Sequence, residues 1–229
     1  MKKLVVFTGA GMSAESGIST FRDAGGLWEK HRIEDVATPE AWRANPELVH
    51  RFYNERRQQL VKAQPNLAHL GLVDLEKKFD VQIVTQNVDN LHERAGSSSV
   101  LHLHGNLMQM RSTGNGAEVY DVKPDKIKYS LDDVCPNGFR LRPHIVWFGE
   151  AVPAMAKAIQ IVTSADVFVL IGTSLEVYPA AGLIHYVGSK VPMYVIDPNA
   201  PAINNTQVVF IRKGASQGVT QLLEILANY

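Results

Sequence analysis

Gly9, Ala10, Gly11 and Ala14 follow the spacing G-x-G-x-x-A. Between a strand and a helix, that spacing binds the pyrophosphate of a dinucleotide. Gly9 allows the tight turn, Gly11 lets backbone approach phosphate, and a small residue at Ala14 permits close helix–strand packing. Free N–H groups and the positive end of a helix then face the phosphate charge. A glycine turn that merely joins a strand to a helix has the same spacing. Gln86, Asn87 and Asp89 crowd the end of a short apolar run, where Asp89 or Asn90 could equally cap the next helix. His102 and His104 alternate with leucines, and Gly105 follows. A neutral imidazole suits general-base work; a lone histidine is more often structural, which suits His92. Gly172-Thr173-Ser174 is a second small polar turn, fit for phosphate or ribose, and Asp197, before Pro198-Asn199, is a candidate ribose ligand. Finally, Arg56 falls one turn from Tyr53 on an otherwise apolar helix face. An arginine so placed usually snorkels to water.

The elements that position these groups alternate in type. Apolar runs at 4–7, 81–85, 100–105, 145–150, 167–172, 193–197 and 208–211 predict strands. Helices are expected from 13, from 38, over 47–63, 68–78, 154–165 and 178–188, and at the C-terminus, where Val219, Leu222, Leu223 and Leu226 form a core stripe. On the 47–63 helix, Val49, Phe52, Tyr53, Arg56 and Leu60 share a face, while Arg51, Glu55 and Arg57 point elsewhere. Gly114-Asn115-Gly116 predicts a hairpin between 107–111 and 117–121. Residues 21–28 break the dinucleotide pattern. Where a dehydrogenase would run on to a second strand ending in Asp or Glu, Phe21, Arg22 and a Gly-Gly pair before Trp28 suggest a loop that folds over a cofactor, or a plain surface turn. Alternating strands and helices imply an α/β fold: a Rossmann-like, doubly wound, mostly parallel sheet with a small inserted lobe.

The 229 residues suffice for one large domain, or for one domain with a small lobe. Its 45% hydrophobic and 20% charged residues are those of a soluble globular protein. Twenty-three basic residues balance 23 acidic ones, so no nucleic-acid or membrane surface is expected. The four apolar residues after Lys3 are too few for a secretory signal. Cys135 is the only cysteine, which excludes an internal disulfide and suggests a cytoplasmic location.

With these residues in view, the chain resembles the sirtuins, NAD-dependent protein lysine deacylases, over essentially its whole length. The resemblance rests on GAGMSAESGI at 9–18, TFRDAGGLW at 20–28, TQNVDNLH at 85–92, LHGN at 103–106, VWFGE at 146–150 and GTSLEVYPA at 172–180. It implies that NAD is the cofactor, that acyl-lysine proteins or peptides are the partners, and that His104 is the general base on a ribose hydroxyl. Gln86 would contact that ribose; Asn87 and Asp89 would line the nicotinamide pocket; Phe21 and Arg22 would close over it. Trp28, Ala10, Gly172, Thr173, Ser174, Asp197, Asn199 and Ala215 complete the implied cofactor set. Val146, Trp147, Phe148 and Gly149 would pair with the substrate backbone as an added strand. The products would be free lysine, nicotinamide and O-acyl-ADP-ribose. Tyr53 and Arg56 resemble the Y-x-x-R signature of class III sirtuins, which implies preference for succinyl or malonyl groups over acetyl. By the same resemblance, a large NAD-binding lobe spans 1–30, 80–105 and 144–229, and a small lobe 31–79 and 106–143.

The chain departs from the family at its zinc module, where two C-x-x-C pairs are usual. Ser112 and Asn115 occupy the region of the first pair, and Cys135 alone remains of the second. One thiolate cannot build a tetrahedral site. No metal is therefore expected, and the small lobe must be held by packing or by a partner. Two other readings compete. A non-catalytic NAD or ADP-ribose binding module would need neither His104 nor the Asn87–Asp89 pair. An ADP-ribosyltransferase would offer the activated ribose to another nucleophile.

Overall fold

A computed structural model describes residues 1–19, 31–114, 118–199, 201, 203, 208–227 and 229. The apolar runs form strands β1 (Lys3–Thr8), β2 (Asp80–Thr85), β3 (Val100–His102), β7 (Val167–Ile171), β8 (Met193–Ile196) and β9 (Val208–Ile211). All pair in parallel, in the order β3-β2-β1-β7-β8-β9. Central strands β1 and β7 are buried on both faces, so their sequences are continuously apolar rather than alternating. The order reverses beside β1, which opens a crevice at the carboxyl ends of β1 and β7.

β4 (Gly105–Ser112) lies between β5 (Val119–Asp121) and β6 (Leu141–Ile145) in a second, antiparallel sheet. The β4–β5 pairing is the expected hairpin; its turn at 115–117 lies outside the described residues. The expected strand at 145–150 instead ends at Ile145. Glu150 turns the chain back: its Oε2 accepts from the Trp147 amide at 2.8 Å, and both its oxygens accept from the Arg142 guanidinium at 2.8 and 2.9 Å. Gly149 supplies the left-handed residue of that turn, at φ +88°.

The first helix, α1 (Gly11–Ala14), differs from expectation by beginning at Gly11 and ending where the sequence predicts only its start. Next come α2 (Ile33–Val36), α3 (Pro39–Ala44) and α4 (Pro46–Lys62). Thr38 and Asn45 accept from the Ala41 and Leu48 amides, caps that contribute about 1 kcal/mol each. α5 (Leu67–Leu75) and α8 (Ala215–Leu226) cover one face of the large sheet. Of the segment 31–79, only the part up to α4 therefore lies with the second sheet. α6 (Leu91–Ala95) follows β2, and α7 (Met155–Thr163) covers the other face of the large sheet. The expected helix at 178–188 is a 3₁₀ helix over Ala180–Tyr186. Among the described residues, no helix is long and apolar enough to cross a membrane.

The sequence places Arg57 off the apolar face, yet it is 0% exposed. It donates to Leu107 O at 2.9 Å, Asn54 Oδ1 at 2.6 Å, Ile127 O at 3.3 Å and Met110 Sδ at 3.0 Å. Burial pulls its pKa down to about 10. Asn54 also binds both backbone groups of Tyr129, at 2.8 and 3.0 Å. These bonds clamp the second sheet onto α4. Cys135 packs with Met110, Val122, Tyr129 and Leu141, its Sγ 3.5 Å from Ser112 Oγ. There it acts as a small hydrophobe. Among the described residues, no group of His, Cys, Asp or Glu could hold a metal ion.

Three buried histidines make stability depend on pH. Burial holds His69 at about 4; burial and then the Arg57 charge hold His50 at about 4; burial and then the charges of His69 and His102 hold His92 well below 6.5. All three are neutral in the fold at pH values where the unfolded chain protonates them. The unfolded state thus binds more protons below pH 6.5, and stability present above that pH is lost as pH falls toward 4. His102 opposes this. Burial lowers its pKa, but the Glu93 hydrogen bond and charge outweigh burial and raise it, so its contribution is full at low pH. His104 and His144, also lowered by burial, add to the loss, while the raised Asp89 carboxyl acts with His102. The five lowered histidines leave a net loss, each worth up to about 1.4 kcal/mol per pH unit. Urea midpoints are expected to fall steadily from pH 7 to pH 5; a flat or rising series would contradict this.

Candidate active site

Two glycine turns meet at the carboxyl ends of β1 and β7. Gly9 N donates to Ile171 O at 3.0 Å, and Gly11 N to Gly172 O at 2.9 Å. A Cβ on Gly9 would lie 2.7 Å from Gly172 O, and one on Gly11 2.7 Å from Gly172 Cα. The glycines are thus required because one turn nests in the other. Ala14 departs from its expected packing role: it is exposed at the end of α1, and Met12 and Ser13 turn inward instead.

The turn after β2 is pinned to this nest. Gln86 N donates to Thr8 O at 2.9 Å, and Gln86 Nε2 to Thr173 Oγ1 at 3.0 Å. Asn87 Nδ2 reaches Gly9 O at 3.0 Å and Ser13 Oγ at 3.2 Å. Ser13 Oγ in turn donates to Asp89 Oδ2 at 2.9 Å, and Asp89 Oδ1 accepts from Leu91 N at 3.1 Å. Asp89, one residue before the Asn90 N-cap, thus holds the first amide of α6, but it also closes a ring of polar contacts with Ser13 and Asn87. Burial raises its carboxyl pKa, against the pull of its two hydrogen bonds. Ser13 is the residue that the sequence reading missed. Its place within GAGMSAE was visible; its partners, 74 and 76 residues away, were not.

β3 ends at His102, one residue before Leu103 and two before His104. The two imidazoles hold successive carbonyls of the same turn: His104 Nδ1 lies 3.1 Å from Gln86 O, and His102 Nδ1 2.9 Å from Asn87 O. A carbonyl only accepts, so neutral His104 carries its proton on Nδ1 and keeps the Nε2 lone pair. Burial lowers its pKa below 6.5, against the Gln86 hydrogen bond, which leaves it neutral at pH 7. His102 is committed to Glu93 Oε1 at 2.6 Å.

The other expected residues flank this centre. Thr173 is buried and Ser174 exposed beyond Gly172. Gly172 N binds Ile196 O at 3.0 Å, which puts Asp197 and Asn199 on the far side of the second turn; Asp197 Oδ1 accepts from Asn199 N at 2.7 Å. Ala215 opens α8, and Glu15 Oε1 accepts from the neighbouring Ser216 N at 3.1 Å. Ala10 is half-buried before α1. Phe21, Arg22 and Trp28 lie outside the described residues.

Arg56 faces the site from α4 at 7% exposure, and Tyr53, one turn before it and 4% exposed, packs in the core beneath. The snorkelling reading of Arg56 is therefore wrong. The side chain lines a pocket with Ala10, Ser13, Ile18, Asn87 and Asp89. Burial lowers its pKa, with Tyr53 and Asp89 favouring the charged form. The Val146, Trp147 and Phe148 amides are already bound to His104 O, Glu150 Oε2 and Ala37 O at 2.9, 2.8 and 3.0 Å. An added substrate strand cannot use those three donors.

Comparison with known proteins agrees with this geometry. A family model described as "Sir2 family" matches residues 9–179. The chain is 54% identical to an NAD-dependent protein deacylase of Bacteroides thetaiotaomicron, over 99% of this chain and 98% of that one. A solved Sir2 homologue in complex with NAD superposes with a TM-score of 0.89 at 38% identity, covering 99% of this chain and 90% of the other. A Sir2 structure with a deacetylated peptide and 3'-O-acetyl ADP ribose gives 0.81 at 30% identity, covering 97% and 93%.

Proposed function

The chain belongs to the Sir2 family, and from that premise we propose that it is an NAD-dependent protein lysine deacylase that prefers succinyl or malonyl groups to acetyl. The residues fit NAD. The crevice at the switch point is floored by bare glycine backbone, and amide, hydroxyl and imidazole groups converge on it. When bound, NAD supplies the ribose carbon that accepts the acyl oxygen and the nicotinamide that leaves.

The observation that carries the reading is the His104 Nδ1–Gln86 O contact at 3.1 Å, which leaves a lone pair on Nε2 of a neutral imidazole. His104 takes the ribose hydroxyl proton on that atom. Gln86 orients the ribose from its place against Thr173, and Asn87 and Asp89, locked through Ser13, offer amide and carboxylate to nicotinamide. The acidic-acyl preference rests on Arg56, a buried guanidinium beside Tyr53 that gains from a carboxylate partner.

Incubation with NAD and matched succinyl-lysine and acetyl-lysine peptides tests the whole reading. O-acyl-ADP-ribose and nicotinamide are expected as products, with higher kcat/KM on the succinyl peptide. ADP-ribose attached to protein, without loss of acyl groups, would favour the transferase reading instead.

A further inference from the structure

The Trp147 indole touches Tyr53 in a way that the family resemblance, which concerns the backbone of this segment, does not require. We propose that Trp147 is a specificity-determining positioning residue: its indole N–H occupies the Tyr53 oxygen and thereby aims the Tyr53 hydroxyl proton at the carboxylate of an acidic acyl group. This deepens the acidic-acyl reading and rests on it. Trp147 Nε1 lies 3.0 Å from Tyr53 Oη in a buried contact. Indole nitrogen only donates, whereas a phenol both donates and accepts. The contact therefore has one polarity, and the tyrosine must spend its own proton elsewhere. Among the described residues that proton has no acceptor. Burial raises the Tyr53 pKa to about 12, so the proton stays on the oxygen at any working pH.

The indole itself is held on every side. The Arg142 guanidinium lies over its face, 3.4 Å from the ring centre, and Arg142 is fixed by both oxygens of Glu150 at 2.8 and 2.9 Å. The same carboxylate takes the Trp147 amide at 2.8 Å. Trp42 packs 5.9 Å away, and the side chain is 2% exposed. The N–H direction is therefore set before substrate arrives. Such preorganisation strengthens a bond to an incoming carboxylate, because no rotor must be frozen on binding.

The test reads the ratio of kcat/KM on succinyl-lysine to that on acetyl-lysine peptide. Four proteins are compared: wild type, Trp147→Phe, Tyr53→Phe and the double variant. Phenylalanine keeps a ring for Arg142 but removes the donor. Trp147→Phe is expected to lower the ratio by roughly two- to tenfold, the worth of one hydrogen bond. In the Tyr53→Phe background it should leave the ratio where Tyr53→Phe alone puts it. A wild-type ratio above one that survives in Trp147→Phe overturns the proposal alone. So does a drop of equal size with and without the Tyr53 hydroxyl, since that is a structural effect. A wild-type ratio near one overturns the acidic-acyl reading and this proposal with it. Should Trp147→Phe not fold, the indole ¹⁵N–H resonance of Trp147 in the wild type serves instead. It should move in Tyr53→Phe and on adding succinyl peptide but not acetyl peptide, and an unmoved resonance overturns the proposal.

Discussion

His104→Ala lowers turnover with NAD and an acyl-lysine peptide by about 10²–10⁴-fold, the usual worth of a general base, while the protein stays folded. The size of the loss follows from what the imidazole does. Its Nδ1 is held by Gln86 O at 3.1 Å, so Nε2 is fixed in tautomer and direction, and alanine removes both the base and its aim. The fold survives because His104 is only partly buried and lies beyond β3, where no ladder bond depends on its side chain. His104→Tyr should behave alike, since a phenol is a poor base at neutral pH. In the wild type, burial places the acid limb of kcat/KM below pH 6.5. Near-wild-type turnover in His104→Ala would remove this residue from the chemistry.

How much of this was legible beforehand varied with the distance over which each residue is held in place. Strands β1 and β7 are legible because a run buried on both faces needs no partner to be recognised. The run at 145–150 looked the same, but Glu150, five residues past the last ladder residue, Ile145, grips Arg142 and folds the chain back. Spacing alone has no term for that side-chain contact. α1 was misread for a related reason. Gly11 is a poor helix former, yet it begins the helix because Gly172 leaves room there for nothing larger. Arg57 sits at the margin of the apolar stripe of α4, where periodicity sends an arginine outward. Its partners Leu107, Met110 and Ile127 come from 50 to 70 residues later. For Arg56, periodicity alone favours the solvent, whereas the fold encloses the side chain. The residues named through ordered motifs are brought together in space, because a motif carries its tertiary partners with it. Gln86, Asn87, Asp89, His104, Gly172 and Thr173 do converge.

Arg56→Met is the second large effect. It is expected to lower kcat/KM on a succinyl-lysine peptide by ten- to several-hundredfold, and to lower it much less on an acetyl-lysine peptide. Hydrogen bonds to charged groups contribute about 1.5–3 kcal/mol each, and a guanidinium fork gives a carboxylate two of them. Acetyl offers no carboxylate, so most of that loss should be confined to the acidic substrate. Methionine roughly fills the arginine's volume on the buried face of α4, between Phe52 and Leu60, and so keeps the helix packed. The structure also supplies a rival account, sharper than a solvent-exposed arginine. Arg56 shares its pocket with Asp89, and each charge favours the other's ionised form. If Arg56 serves chiefly to keep Asp89 charged for the cofactor, the variant loses both activities together, and the KM for NAD rises with either peptide. The two accounts separate on one plot: the ratio of succinyl to acetyl activity, set against the KM for NAD. A collapsed ratio at constant KM assigns Arg56 to the acyl group; a constant ratio at raised KM assigns it to Asp89 and leaves a general deacetylase.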